Sequence, residues 1–151
     1  MMHSALDTTF EMSLRVLLLL SVTPKAYSAD MLALADTLTI YSGHFGITDR
    51  NLHGESRYVL DEYDARRELA KEAVKFLTLR GLVTALYDTQ GFRYEINADG
   101  EEYICGNNSE YALEYRSVAQ VIARVINNKT EREIFNLMRK NFKPLAEEFD
   151  D

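Results

Sequence analysis

The chain has 151 residues, 46% of them hydrophobic and 27% charged, a globular balance with enough length to bury one core without staples. Its formal net charge of −7 argues against a protein that grips nucleic acid on its own, because such proteins usually carry a basic field. A single cysteine, Cys105, excludes an intramolecular disulfide and reads as a small buried thiol. One domain over residues 1–151 is expected, with a core over about 10–105 and C-terminal helices over about 109–149.

Met1 to Thr8 shows no periodicity and reads as a loose end. Phe10 to Val22 is apolar on most sides, which predicts a first helix buried on most sides and stopped by Pro24. Its VLLLLSV run is too short to span a membrane. The residues before it carry Asp7 and Glu11 rather than the basic start of a signal peptide, so a cytoplasmic location is expected. Ser28 is placed to cap a second helix with Asp30 in its first turn, ending near Gly43. Met31, Leu34, Ala35 and Leu38 form its stripe, and Asp36 beside them is expected to be partly buried with a hydrogen-bond partner. His44 to Tyr58 is irregular and is read as a connector packed by Phe45, Ile47 and Leu52.

A third helix is expected from Asp61 to Arg80. Leu69, Ala70, Ala73, Phe76 and Leu77 make its apolar side, and Asp64, Arg67, Glu68, Lys71 and Lys75 share the opposite one. Five acids and five bases leave this window neutral, with intrahelical pairs Glu68–Lys71 and Glu72–Lys75. Two strands follow, Leu82–Asp88 and Phe92–Asn97, in a hairpin with Gly91 at its turn. Phe92, Tyr94 and Ile96 point to one side. Asn97 to Gly100 reads as a turn, after which Tyr103–Cys105 lead back to the core. Ser109 to Asn127 is a helix with the stripe Tyr111, Tyr115, Val118, Ile122, Val125 and Ile126. Thr130 and Glu133 have capping-box spacing and open a last helix. Its face of Ile134, Met138, Phe142 and Leu145, continued by Phe149, could pack on its own domain, on a second copy in a homodimer, or in another protein's groove. An acidic tail closes the chain.

The fold class that emerges is mainly α with a small antiparallel β-hairpin, a winged-helix-like core with additional N- and C-terminal helices. No phosphate loop, CxxC or HExxH pattern is present, and His3, His44 and His53 are scattered, although His44 and His53 could meet across their loop. No catalytic residue, metal ligand or cofactor is therefore assigned, and the chain is read as a non-enzyme. Candidate contacts to nucleic acid or a partner are Arg57, Arg67, Lys71, Lys75 and Arg93. A dimeric winged-helix transcription regulator would use them on DNA, but Asp64 and Glu68 share the helix face and Asp88 and Glu95 flank Arg93, which favours partner binding.

The stretches LLLLSVTP, DMLALADTLTIYSGHFGI, NLHGESRY, AVKFLTLRGLV, GFRYEINADGEEYI and SEYALEYRSVAQVIARVI together resemble the middle components of bacterial three-gene ABC systems (ABC-3C). Asp36 with Tyr41, Leu52-His53, Arg67 and the Gly91–Tyr94 hairpin carry the resemblance over Phe10 to Ile126. Gly54 stands where the pattern has proline, and no tryptophan lies near Val118-Ala119. Lamassu-type SMC defence systems are similar. The resemblance implies a non-catalytic accessory subunit that bridges an SMC-like ATPase and a nuclease-type effector in antiviral or anti-plasmid defence. DNA would be met only within that complex.

Overall fold

A computed structural model describes residues 8–143 except Glu55. Among these residues it contains six helices and one two-stranded antiparallel hairpin, in the order α1 (Thr9–Leu20), α2 (Ala29–Ile40), α3 (Tyr63–Leu79), β1 (Val83–Asp88), β2 (Gly91–Ile96), α4 (Ala98–Cys105), α5 (Glu110–Val125) and α6 (Glu131–Asn141). Among the described residues no helix is long and apolar enough to cross a membrane. The expected features of residues 1–7 and of 144–151, including Leu145, Phe149 and the acidic tail, lie outside the described residues.

Local chemistry fixes the helix starts. Thr8 and Glu11 form a reciprocal capping box at α1, and Thr130 and Glu133 form another at α6. The Ser28 and Ser109 hydroxyls cap α2 and α5 by accepting from Met31 N and Ala112 N. Asn128, at φ 67°, takes the left-handed conformation between α5 and α6, one that asparagine tolerates well.

The first two helices make the centre. Both are buried nearly all round, and α2 is buried without a break from Leu32 to Ile40 rather than along one stripe. Thr37 and Thr39 sit inside because their hydroxyls donate back to Ala33 O and Ala35 O, at 2.8 and 2.7 Å. The α3 and α5 helices pack on this pair. The buried face of α5 is Ala112, Tyr115, Ala119 and Ile122, while Tyr111 and Val125 of the expected stripe are exposed. Small alanines bring α5 close to α1 and α2 around the buried Tyr115 and Ile122, while Tyr111, Leu113 and Val125 are turned to the margin. On α3 likewise Ala70, Ala73, Val74 and Leu77 are buried, with Leu69 and Phe76 only half-buried.

The expected turn at Asn97–Gly100 is instead the start of α4. The Asn97 side chain accepts from Gly100 N at 2.9 Å and donates to Gly81 O at 2.9 Å, so it caps the helix and anchors it to the end of α3. A Cβ at Gly100 would lie 2.1 Å from Leu82 O, so only glycine lets α4 cross the base of β1. In a helix Ile104 points inward and Cys105 is turned about 100° away, which is why Cys105 is exposed rather than buried as expected.

β1 and β2 pair from Val83↔Ile96 to Asp88↔Gly91. Gly91, at φ 106°, supplies the positive dihedral of the turn. Tyr27, in the α1–α2 connection, forms a lone antiparallel bridge to Tyr94 through Tyr27 N to Tyr94 O (3.0 Å) and Tyr94 N to Tyr27 O (2.8 Å). The free side of β2 is thereby tied to the helical body.

One carboxylate joins four helices. Asp36 of α2 is 1% exposed. It accepts from Arg15 Nε at 2.9 Å and Arg15 Nη2 at 3.1 Å from α1, and from the Tyr115 hydroxyl at 2.7 Å from α5. Arg66 Nη1 of α3 lies 3.8 Å away, while Arg66 Nη2 donates to the Tyr41 hydroxyl at 3.3 Å. Burial works to raise the Asp36 carboxyl, but the Arg15 charge and hydrogen bonds, then Arg66 and Tyr115, outweigh it and hold the group below the ordinary carboxylate range. Burial, reinforced by the Asp36 charge, pushes the Tyr115 phenol well above its ordinary value.

Asp36→Ala is expected to cost about 3–5 kcal/mol in urea unfolding, because it strands Arg15 in the core. A loss below about 1 kcal/mol, the range of a surface pair, would contradict the assignment. The depressed Asp36 value makes its contribution fully present above about pH 4, where the unfolded carboxyl is ionised, and lost as the pH falls through the lower folded value. Tyr115 acts in the opposite sense: its contribution is present below about pH 10 and lost as the pH rises through the raised value. Gly100→Ala is expected to destabilise by about 1–3 kcal/mol in thermal unfolding. Gly106→Ala, whose Cβ would meet only Tyr103 O at 3.7 Å, should stay close to wild type.

Candidate functional site

The basic residues read as contacts are spread over α3 and the hairpin, and the structure joins most of them to acids. Arg67 makes a two-pronged pair with Asp30 at the start of α2, Nε to Oδ1 and Nη2 to Oδ2 both at 3.2 Å, and lies 3.5 Å from Asp64. Its guanidinium also sits over the Tyr63 ring, 5.8 Å from the centroid. The hydrogen bond and charge of Asp30 raise the Arg67 pKa above its ordinary value. Lys71 pairs with Glu68 at 3.3 Å, as expected. The expected Glu72–Lys75 pair is absent: Glu72 accepts from the Thr9 hydroxyl at 3.0 Å, and Lys75 is exposed without an ion pair among the described residues. Arg93 is held by Asp88 across the hairpin turn. Arg57 is exposed in the segment before α3. The face that would meet phosphate in a DNA reader therefore has at least three of its five cations already next to a carboxylate.

The candidate partner-helix face of α6 is occupied by its own chain. Ile134 and Met138 are buried in the core. Phe142 packs on His44, with ring centres 4.9 Å apart, and on Phe45 at 5.8 Å. Of the three alternatives open for this face, these three residues take packing on their own domain, where the closing helix covers α2. The start of α6 is fastened too, by Ser28 Oγ donating to Glu131 at 2.6 Å and by Tyr63 against Phe135 at 5.5 Å.

His44 and His53 do not form a shared site. The Ser56 amide donates to His44 Nε2 at 3.0 Å, so Nδ1 carries the proton and donates to Lys143 O at 2.7 Å. Lys143 N donates in return to His44 O at 2.7 Å. His53 Nε2 lies 2.6 Å from the Tyr111 hydroxyl on α5, and Arg50 pairs with Glu114 nearby. The 44–58 connector is thus pinned to α5 and to the exit of α6, with Phe45 buried and Ile47 and Leu52 packed against the core, as expected. Among the described residues no three His, Cys, Asp or Glu side chains converge to hold a metal.

The surface that sequence reasoning missed is the hairpin tip. Phe92 is directly opposite Tyr87, with ring centres 4.7 Å apart, and stacks toward Tyr94 at 6.4 Å. Alternation correctly put Phe92, Tyr94 and Ile96 on one face. That face is covered only at its base, so Tyr87 is 74% and Phe92 55% exposed. Period alone gives the face of a strand and not where the body beneath it ends.

The element order, the Tyr27 bridge and the Asp36 cluster all fall inside the segment that the family model for the ABC-three component (ABC-3C) system Middle Component 2 matches, residues 5–148. The chain belongs to this family. No curated protein and no solved structure matches it. An ABC-3C middle component acts in a multi-component system, so its surfaces have other subunits to meet.

Because Arg67 serves Asp30, Arg67→Ala is expected to lower stability by up to about 1 kcal/mol, as removal of a half-exposed pair does. It should change the affinity for a labelled duplex at low salt by less than about twofold, and so should Lys71→Ala. A loss of about tenfold or more in fluorescence anisotropy, steep in salt, would show that this face reads DNA.

Proposed function

We propose that this middle component is a non-catalytic bridging subunit that holds an SMC-like ATPase and a nuclease-type effector together in an antiviral or anti-plasmid system, akin to the small accessory subunit of Lamassu-type systems. Its architecture fits a winged helix. The order α1, Tyr27 bridge, α2, α3, β1, β2, with Tyr27 paired to β2, is compatible with the arrangement in which a short first strand joins the wing.

The observation that carries the reading is the state of the charges on that architecture. In a winged-helix reader α3 would offer free cations to the duplex. Here Arg67 is committed to Asp30, Lys71 to Glu68 and Arg93 to Asp88, on a chain of net charge −7. Such a surface supports protein contact, with DNA met through the positive field of a neighbouring subunit.

Co-expression of the tagged chain with the products of its flanking genes is expected to yield a stable complex containing an ATPase. Size-exclusion chromatography with light scattering would measure its composition. Flanking genes that encode neither an ATPase nor an effector, or a chain that elutes alone and shifts a duplex at low salt, would contradict the proposal and favour a dimeric DNA-binding regulator.

A further inference from the structure

The hairpin has one open edge, and its identity follows from hydrogen bonding. Tyr94 spends its N–H and C=O on Tyr27, so it cannot also bond Ala85, the residue opposite it on β1. Ala85↔Tyr94 is therefore a non-hydrogen-bonded pair of the antiparallel ladder, and pairs two residues away share that character. The main-chain groups of Val83, Ala85 and Tyr87 then point away from β2. Among the described residues no strand, side chain or backbone group hydrogen-bonds this outer edge. Natural edge strands are usually protected by lysine, proline or a cover, and VTALYD has neither residue. Beside the edge stands the exposed Tyr87–Phe92 pair.

The surroundings say what could pair there. Residues 82–105 contain Asp88, Glu95, Asp99, Glu101 and Glu102 against the single base Arg93, which is −4 of the chain's −7. Glu95, Asp99, Glu101 and Glu102 are exposed and make no ion pair among the described residues. Two such patches repel one another, which disfavours a second copy of this chain, and duplex DNA is repelled more strongly. A cationic polypeptide is attracted.

We propose that β1 is the docking edge for an extended segment of a partner protein that carries lysine or arginine and at least one apolar residue. The segment adds as a third strand through the outward groups of Ala85 and Tyr87, beyond Val83, which is buried in the core. Its apolar residue packs on Tyr87 and Phe92, and its cations meet the carboxylates of β2 and α4. This inference rests on the bridging-subunit reading, since it names the surface through which a partner is held.

The test uses the full chain co-expressed with the products of its flanking genes, comparing wild type with Ala85→Pro and with the double variant Glu101→Lys/Glu102→Lys. Proline at 85 removes an outward N–H and no ladder bond, so the hairpin should persist, and circular dichroism with thermal unfolding checks this. The charge reversal lies on an exposed helix face, and the same unfolding check applies to it because Glu101 is in the first turn of α4. The expected result is a loss of affinity for the partner of about tenfold or more in each variant, measured by biolayer interferometry. A wild-type complex that both variants form equally well would overturn the docking edge and leave the bridging role standing. No complex with the wild-type chain would overturn both. Binding of a labelled duplex that strengthens in the charge-reversed variant and competes with the partner would show that the edge serves nucleic acid, and would also overturn the proposal.

Discussion

The burial of Asp36 constrains everything around it. A carboxylate enclosed in a helical core is tolerable only if its charge is neutralised and its oxygens are hydrogen-bonded, and the cost of leaving either undone is several kcal/mol. Here α1 supplies Arg15, α5 supplies Tyr115 and α3 supplies Arg66, so one side chain on α2 dictates how three neighbours sit. Apolar contacts alone would let such helices slide by a fraction of a turn. The bonds from Arg15 and Tyr115 do not, because their geometry is lost with small displacements. The cluster thus supplies register to a core whose bulk stability comes from leucine and alanine.

That register decides what α3 shows to solvent. With Arg66 turned inward to Asp36 and Tyr41, its neighbour Arg67 falls beside Asp30. Lys71 then lies one turn on, next to Glu68. The helix that would be the reading head of a DNA-binding protein is largely neutralised by its own fold. The unbalanced charge lies elsewhere, on β2 and α4, and it is negative. An acidic hairpin with two exposed aromatic rings and an open edge is suited to a cationic polypeptide, which fits a subunit whose family works in a multi-component system.

Signals that act over a few residues were legible in the sequence. Pro24, the Ser28 cap, the Thr130–Glu133 box and the Gly91 turn each act through adjacent backbone groups, and each lies where expected. The capping box at Thr8–Glu11 was equally visible in type and spacing, and reading the chain end as loose passed over it. The helix α4 was obscured because Asn and Gly are also turn residues; their role as cap and close-contact position depends on Leu82, distant in sequence. For the same reason Cys105 was placed inside. Asp36 was picked out as a carboxylate in need of a partner, but its partners stand 21 and 79 residues away and no periodicity points to them. On α5 hydrophobicity favoured Tyr111 and Val125, whereas close helix packing selected Ala112 and Ala119. The carboxylates that neutralise Lys71 and Arg93 could be read beside them in the sequence. Asp30, opposite Arg67, could not.

Amide hydrogen exchange, compared between the free chain and its complex with the products of its flanking genes, tests the central claim most directly. The account predicts that the outward amides of Ala85 and Tyr87 exchange quickly in the free chain and become protected in the complex, while the solvent face of α3 changes little. Protection confined to α3 and to the segment around Arg57, with β1 unchanged, would contradict it.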